Sequence, residues 1–128
     1  MHARDVATQA LGIRVAQVGP GAAELSMVVR ADMLNGHEIC HGGFIFALAD
    51  SAFAYACNSY NLNTVASGCA IDFIAPARLG ETLTAKAHER KLAGRTGVYD
   101  VEVVNQRGES VALFRGKSYR IKGHLLED

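Results

Sequence analysis

One carboxylate stands out in the most apolar stretch of the chain. Between Phe44 and Cys57 nearly every residue is apolar, and Asp50 is the only strong charge. A helix that is apolar on nearly every side lies in a core or a membrane, and fourteen residues are too few to span a bilayer, so we predict a core helix. A carboxylate in such surroundings is costly unless it is paired, protonated or used. Asp50 is therefore a candidate general base or nucleophile.

A glycine pair stands just before this helix. His41, Gly42 and Gly43 lie where the helix should begin. Residues without side chains leave the first backbone N–H groups open to close approach, and a helix N-terminus stabilises developing negative charge. Two plainer interpretations remain: the glycine pair could be only a tight helix start, and Asp50 could be a core carboxylate satisfied by the backbone or by Ser51.

Three residues near the glycine pair, His37, Cys40 and His41, allow two other hypotheses. They could belong to a metal site, but no second Cys/His cluster supplies the remaining ligands. Cys40 and His41 could form a nucleophilic pair, although neighbours in a loop need not face each other and no local catalytic signature supports the pairing. We therefore expect no metal and no cofactor, and we expect His41 to form hydrogen bonds that shape the loop around Gly42.

Length and composition limit the classes of function. The 128 residues suit one domain over residues 1–128, large enough to bury a core without disulfides or a metal. With 13 basic and 13 acidic residues, nucleic acid and anionic membranes are poor candidates for partners. The N-terminus lacks the features of a secretion signal, and Cys40, Cys57 and Cys69 are odd in number without CxxC spacing. We therefore expect a cytoplasmic location.

Alternating patterns predict strands before and after the central helix in the sequence. A short amphipathic helix over residues 3–11 ends at Gly12, and Ile13–Val18 then forms a hairpin with the run that follows the turn at 19–21. Four more strands follow the central helix, the last over Val111–Ile121. The positions predicted to share a face within one strand are Ala23, Leu25, Met27 and Val29; Val65, Ser67, Cys69, Ile71 and Phe73; Leu83, Ala85 and Ala87; and Tyr99, Val101 and Val103.

One buried helix followed by several long antiparallel strands predicts an α+β domain in which the sheet curls around the helix. Small residues at spacings of three and four, Ala49, Ala52 and Ala56, would let the helix lie close against that sheet. A single curved sheet covers only part of a helix. The uncovered flank or sheet edge would invite a second copy of the chain, so we expect at least a dimer.

Four segments point to a known family. They are the block from Asn35 to Asp50 with HGG at 41–43, the run LADSAFAYACNS at 48–59, and the later segments TGVYDVEVVNQ and VALFRGKSYRI. Together they cover most of the chain after the first twenty residues, and a helical Asp nine residues after the His of HGG is a specific signal. In these segments the chain resembles the hot-dog fold thioesterases, and within them the phenylacetic acid degradation protein PaaI branch.

The resemblance implies a curved sheet around a central helix, paired protomers, often a tetramer, with active sites at their interface, and hydrolysis of acyl-CoA thioesters. The PaaI branch is associated with phenylacetyl-CoA and its ring-hydroxylated relatives. On the matching positions Asp50 is the acidic catalyst, the Gly42 amide polarises the thioester carbonyl, and Asn35 and His41 are supporting polar residues. Such an amide would stabilise the oxyanion of the transition state. Whether the carboxylate acts as general base or as nucleophile stays open.

Coenzyme A carries a pyrophosphate and a ribose phosphate, so some basic side chains should contact it. Arg115 and Lys117 fall on one face of the last strand, and Arg95 lies in a glycine-flanked turn. These three are the predicted contacts with coenzyme A. The other basic residues of this part of the chain, Arg90, Lys91, Arg120 and Lys122, are expected to form a solvated rim. Asp72 and Ser67 could assist the water, shape the pocket or be purely structural.

These patterns together predict a homodimeric or homotetrameric hydrolase acting on an arylacetyl or similar small aromatic acyl-CoA. A hot-dog hydratase or dehydratase would bind the same thioester, but no obvious His–Glu or His–Asp pair stands at the helix start. In a non-catalytic acyl-CoA binding module, Asp50 would only form a hydrogen bond to the ligand. Both alternatives remain to be tested against hydrolysis.

Overall fold

A long helix lies against one face of a curved antiparallel sheet. The computed structural model describes residues 5–121. In chain order the elements are α1 (Val6–Ala10), β1 (Arg14–Gly19), β2 (Ala22–Val28), a 3₁₀ turn (Ala31–Met33), α2 (Gly42–Cys57), β3 (Thr64–Phe73), β4 (Thr82–Ala93), β5 (Thr96–Val104) and β6 (Ser110–Arg120). The six strands of this part of the chain are ordered β1-β2-β4-β5-β6-β3, and every neighbouring pair is antiparallel. The predicted α+β architecture is confirmed.

The central helix α2 is two residues longer at its start than the sequence predicts. It begins at Gly42 rather than Phe44 and ends at Cys57, as predicted. The early start has a local cause, because the side chain of His41 accepts a hydrogen bond from the Gly43 N–H at 3.0 Å and so caps the first turn. The glycine pair therefore lies inside the helix and not before it.

Small residues let α2 lie close to the sheet. Ala49, Ala52 and Ala56 are fully buried, as predicted. On β6 a Cβ atom at Gly116 would lie 2.8 Å from the ring of Phe53, so helix and strand touch where no side chain fits. The predicted inward positions of β4 and β5 are confirmed as core: Leu83, Ala85, Ala87, Tyr99, Val101 and Val103.

A bulge in β3 corrects one predicted face. The register between β3 and β6 shifts at Ser67, which has no paired position across from it. Val65 consequently pairs with the exposed Tyr119 and lies on the outer face, so the prediction that it shares the inner face was wrong. One extra residue reverses the alternation, and a period of two cannot reveal it. Three of the predicted positions do share one face: Cys69, Ile71 and Phe73.

The strand β3 forms one edge of the sheet and pairs only with β6. Most of its residues are exposed within the protomer, including the large side chain of Val65 on the outer face. An unpaired apolar edge can pair with another strand. This edge supports the expected self-association, which stays a prediction.

The N-terminal elements are present with shifted ends. β1 and β2 pair as the predicted hairpin. The helix predicted over residues 3–11 covers Val6–Ala10, and residues 3 and 4 lie outside the described residues.

The last strand ends at Arg120, one residue before the predicted Ile121. Between residues 5 and 121 there is no helix long and apolar enough to cross a membrane.

Candidate active site

The Asp50 carboxylate accepts no hydrogen bond from any residue between 5 and 121. Ser51, the neighbour that could have satisfied it, donates its hydroxyl to the Ala47 carbonyl at 2.7 Å. Partial burial raises the pKa of Asp50 above the ordinary value for Asp, because the charged form is poorly solvated there. The structure thus shows an unpaired carboxylate with raised proton affinity rather than a satisfied core group.

Asp50 lies on the flank of α2 that the sheet leaves uncovered. Ala47, Asp50, Ser51 and Ala54 follow one another at helical spacings and are only partly buried. The opposite side of the same helix is fully buried against the sheet: Leu48, Ala49, Ala52, Phe53 and Ala56. The carboxylate therefore faces the surface where this protomer offers little cover of its own.

Two thiols lie near enough to Asp50 to respond to its charge. Burial raises the pKa of Cys57 to about 12, and the Asp50 charge adds to that effect. Burial and then the same charge raise the pKa of Cys69, which faces α2 from its place opposite Gly116. Cys69 was not predicted as a neighbour of the site, although its predicted position on the inner face of β3 was a signal.

At the start of α2 a single backbone donor is left open. The Gly43 N–H donates to Nδ1 of His41 at 3.0 Å, and the Phe44 N–H donates to the His41 carbonyl at 3.0 Å. His41 is itself fixed, since its N–H donates to the Met33 carbonyl at 2.8 Å. The Gly42 N–H donates to no residue that the structure describes. His41 therefore contributes to the loop around Gly42 by accepting the hydrogen bond of the next N–H group, that of Gly43.

The side chain of Asn35 holds the loop that leads to His41. Its Oδ1 accepts hydrogen bonds from the N–H groups of His37 at 2.9 Å and Ile39 at 3.4 Å. Both acceptor contacts use the oxygen, which leaves the amide NH₂ without a partner among the described residues. Because Asn35 also lines the groove beside Gly42, that NH₂ is a second open donor near the helix start.

A groove of about 540 Å³ opens beside the Gly42 amide. One wall follows β3, where the N–H groups of Ile74 and Ala75 both donate to the Val111 carbonyl, at 2.8 and 3.2 Å. The same wall is tied to the helix side, because the Cys40 N–H donates to the Ala77 carbonyl at 2.8 Å. The lining is largely apolar: Asn35, Ile39, Cys40, Gly42, Ile45, Phe73, Ile74, Ala75, Pro76 and Ala77. Such a lining suits an apolar acyl group next to one polar donor.

The structure does not bring Gly42 and Asp50 together within one protomer. They stand eight residues apart on the same helix, which separates them by roughly 12 Å along its axis at about 1.5 Å per residue. A single thioester carbonyl cannot reach both groups at that distance. The two predicted site residues therefore lie in two separate regions of the protomer.

The metal and cysteine hypotheses gain no support from the structure. Among residues 5–121 no group of three or more His, Cys, Asp or Glu side chains could hold a metal ion. Burial raises the pKa of Cys40 to about 11, so its thiol stays protonated at neutral pH. The Nδ1 atom of His41 is occupied by the Gly43 N–H and does not face the thiol as a base would. Nucleophilic catalysis by Cys40 therefore has no basis in this geometry.

The three basic residues predicted to contact coenzyme A lie away from the groove. Arg115 and Lys117 share the outer face of β6, opposite the face that the helix covers, as their predicted common face requires. Arg115 already binds Asp100 through two hydrogen bonds of 2.6 and 2.8 Å, and these lower the pKa of Asp100. Arg95 lies in the turn between β4 and β5, where Nη1 donates to the Arg120 carbonyl at 3.1 Å. None of the three lines the groove beside Gly42.

The two residues of β3 that could have assisted the water also lie elsewhere. Asp72 pairs with Leu113 and faces outward, away from α2. The Ser67 hydroxyl donates to the Lys117 carbonyl at 3.2 Å, at the bulge. The Ser67 contact supports a structural role, and the role of Asp72 stays a prediction.

The fold and the helix-start donor define a class of protein. Residues 37–112 match the family described as the thioesterase superfamily, and the chain belongs to that superfamily. Its fold is the hot-dog fold, so the resemblance drawn from the sequence is confirmed. Over 125 residues the chain is 55% identical to the acyl-coenzyme A thioesterase PaaI of Escherichia coli, covering 98% of this chain and 89% of that protein.

Two solved structures show how far the likeness extends. The E. coli PaaI protein from the phenylacetic acid degradation operon superposes with a TM-score of 0.95, covering 97% of this chain and 90% of that chain. The TT0310 protein from Thermus thermophilus is 46% identical with a TM-score of 0.88, covering 92% of this chain and 99% of that chain. The likeness therefore includes the whole sheet and both helices and not only the segment around HGG.

Proposed function

We propose that this chain hydrolyses acyl-CoA thioesters to a free acid and coenzyme A, as one hot-dog domain over residues 1–128. The observation that carries the proposal is that one helix presents both groups the reaction needs, the open Gly42 N–H and the unpaired Asp50 carboxylate. Similarity to the E. coli acyl-coenzyme A thioesterase supports the reaction class. The PaaI branch resemblance supports phenylacetyl-CoA, or a ring-hydroxylated phenylacetyl-CoA, as the substrate.

In this proposal the Gly42 N–H donates a hydrogen bond to the thioester carbonyl. The carbonyl oxygen gains negative charge in the tetrahedral transition state, and the donor at the helix start stabilises that charge. Asp50 acts on the other side of the carbonyl, either by taking a proton from water or by attacking the acyl carbon. Hydrolysis in water labelled with heavy oxygen can separate the two routes. A general base leaves Asp50 unlabelled, whereas a nucleophilic Asp50 can take up the labelled oxygen when water hydrolyses the acyl-enzyme anhydride.

The two supporting residues act on the donor side of the site. His41 occupies the Gly43 N–H and so leaves that of Gly42 as the open one. Asn35 fixes the preceding loop through its Oδ1 and is one of the residues that line the groove, so its NH₂ group is a candidate donor there. Neither residue needs to exchange a proton with the substrate in this arrangement.

A complete site requires two copies of the chain. Because Gly42 and Asp50 of one protomer are separated by roughly 12 Å along α2, we infer that Asp50 of one copy faces Gly42 of another across the interface of a homodimer or homotetramer. The partly buried flank of α2 and the unpaired edge of β3 supply surfaces for that contact. Sedimentation should accordingly show a dimer or tetramer at nanomolar concentration, and a fully active monomer would contradict the two-copy site.

Release of free thiol from a panel of acyl-CoAs tests the reaction class. A thioesterase releases coenzyme A, a hydratase or dehydratase changes the acyl carbons without releasing thiol, and a binding module leaves the panel unchanged. We expect the largest kcat/KM with phenylacetyl-CoA and its ring-hydroxylated forms. Absence of thiol release across the panel would contradict the proposal and favour one of the two alternatives.

Subunit mixing tests the two-copy site directly. A dimer that combines an Asp50→Asn copy with a Gly42→Pro copy contains one site with both groups intact and one site with neither. Co-expression of the two inactive variants should therefore restore roughly a quarter of wild-type activity, because about half of the dimers are mixed. If each site used groups from a single copy, no activity would return.

The coenzyme A contacts stay predictions on Arg95, Arg115 and Lys117. If one of them binds the phosphates, its removal should raise KM for acyl-CoA and leave a short thioester without the nucleotide unaffected. Equal loss on both substrates would show that the residue acts elsewhere.

Cytoplasmic location also remains an expectation from the sequence.

A further inference from the structure

One wall of the groove closes directly onto Gly42. A Cβ atom at Gly42 would lie 2.9 Å from Cζ and 3.2 Å from Cε1 of Phe73. Gly42 does not have the positive φ that favours glycine, so its missing side chain serves space and not backbone conformation. The ring edge of Phe73 fills the place beside the open N–H that a side chain at Gly42 would otherwise take.

Phe73 is held in place and yet open to a ligand. It is the last residue of β3 and pairs with Ala112, and the next two N–H groups, of Ile74 and Ala75, are both bound to the Val111 carbonyl. Its side chain is nevertheless 53% exposed. A fixed backbone with an exposed ring offers a preformed contact surface beside the donor.

We propose that Phe73 determines specificity by favouring acyl groups that carry an aromatic ring close to the thioester carbonyl. The inference rests on the proposed function, because it assumes that the carbonyl binds the Gly42 N–H. In an arylacetyl thioester a single methylene separates the carbonyl from the ring. Aromatic pairs prefer ring centroids about 4.5–7 Å apart, a span that so short a link can reach from a carbonyl beside Gly42.

Other acyl groups would use the groove differently. An acetyl group has no ring to place against Phe73. A long alkyl chain would gain its contacts from the aliphatic lining, such as Ile39, Ile45 and Pro76, and would depend less on an aromatic wall. The position of the ring next to the donor, rather than deeper in the groove, therefore selects for a ring near the carbonyl.

The test compares Phe73→Ala and Phe73→Leu with a matched control, Leu79→Ala. Leu79 is exposed to a similar degree, 58%, and follows the same wall without lining the groove. The measurement is kcat/KM for phenylacetyl-CoA and for acetyl-CoA. We expect the ratio of the two to fall roughly tenfold in Phe73→Ala and less in Phe73→Leu, with the control ratio unchanged and the affinity for free coenzyme A the same in all variants.

A ratio that stays unchanged while both substrates lose activity equally would overturn the inference, since Phe73 would then only support the backbone around Gly42. Phe73→Leu keeps an apolar side chain at the strand end, so it decides the question if Phe73→Ala folds poorly. If the wild-type protein hydrolyses neither substrate, the proposed function fails separately. Equilibrium binding of non-hydrolysable ketone analogues, in which a methylene separates the coenzyme A sulfur from the phenylacetyl or acetyl carbonyl, then gives the same comparison. Loss of the phenylacetyl preference supports the inference, and its retention in Phe73→Leu and Phe73→Ala overturns it.

Discussion

The two ends of the reactive part of α2 are built in opposite ways. Around Gly42 the neighbouring amides are bound within the protomer: that of Gly43 to the His41 side chain, that of Phe44 to the His41 carbonyl and that of His41 to Met33. Around Asp50 the described residues provide no hydrogen bond to the carboxylate, and the flank on which it lies is only partly covered.

The difference follows from what each group must do. A backbone N–H at a helix start is free by geometry, so local contacts can fix it in place without using it up. A carboxylate that must accept a proton loses its reactivity if its own chain satisfies it, whereas burial without a partner raises its proton affinity. One end of the site can therefore be completed within the protomer, and the other has to be left incomplete until a second copy and substrate cover it.

Replacing Asp50 by Asn should produce the largest effect and tests the reactive end. Asn keeps the shape but can neither accept a proton nor attack as an anion, so we expect kcat to fall by roughly 10²-fold to 10⁴-fold. Equilibrium binding of a non-hydrolysable phenylacetyl-CoA analogue should change little. In the wild type, kcat/KM should fall in acid with a midpoint above the ordinary pKa of Asp, because burial raises the pKa of Asp50.

A suitable control is Ser51→Ala on the same flank, since that hydroxyl is bound to the Ala47 carbonyl and does not contact Asp50. Its turnover should stay near that of the wild type. Near wild-type turnover in Asp50→Asn would remove Asp50 from the chemistry, and equal loss of turnover and binding would favour the acyl-CoA binding module.

Replacing Gly42 tests the preorganised end through a pair of variants. Gly42→Ala keeps the N–H but places a Cβ 2.9 Å from Phe73, whereas Gly42→Pro adds similar bulk and also removes the donor. Proline is tolerated at the first position of a helix, so the pair differs mainly in the N–H. We expect kcat of Gly42→Pro to lie on the order of 10²-fold below that of Gly42→Ala. Equal activity in the two would show that the reaction does not use this donor.

Removing the cap at His41 should have a smaller effect, on stability first. His41→Ala frees the Gly43 N–H and should lower the free energy of unfolding by about 1 kcal/mol, measured by urea titration. A modest fall in kcat should accompany it, because a second open donor then competes for the carbonyl. His41→Ser can accept the same hydrogen bond and should recover most of the stability, and no difference between Ala and Ser would mean that the cap is unimportant.

The smallest expected effect is the stability cost of leaving Asp50 unpaired. Burial raises its pKa in the folded protein, so the unfolded chain ionises first as pH rises and stability falls through that interval. Below the ordinary Asp pKa both states are protonated and the cost is absent. Asp50→Asn should therefore have a higher Tm than the wild type at neutral pH, with the difference vanishing in acid at matched protein concentration. A lower Tm at neutral pH would indicate a stabilising partner for the carboxylate.

Much of this architecture could be predicted because it is local. The apolar character of α2 and its end at Cys57 follow from composition, and the inward positions of β4 and β5 follow from periodicity, both of which a single sequence displays. The start of α2 at Gly42 was missed because it depends on the His41 cap. Asp50 could be recognised for the same reason, as a charge out of place in an apolar pattern. The donor at Gly42 could be expected from its position at the helix start.

Other features could not be predicted because they depend on contacts between distant segments. The close approach of Phe73 to Gly42 arises only when the end of β3 meets the start of α2. The bulge at Ser67 changes the face of Val65, and the adjacent Gly68 does not by itself show which residue is left unpaired. The pairing of Arg115 with Asp100 is a cross-strand contact fixed by register, which a list of basic residues does not contain.

The open amide at Gly42 also has a kinetic consequence. Amide hydrogens exchange with solvent deuterium when they are not hydrogen-bonded, and the neighbouring N–H groups of His41, Gly43 and Phe44 are all bound. Within this turn the Gly42 hydrogen should therefore exchange rapidly while its neighbours exchange slowly. Because the neighbouring amides are hydrogen-bonded and the Gly42 amide is not, binding of an acceptor should slow exchange at Gly42 alone. The deuterium exchange rate at Gly42 therefore measures how fully that hydrogen bond is occupied.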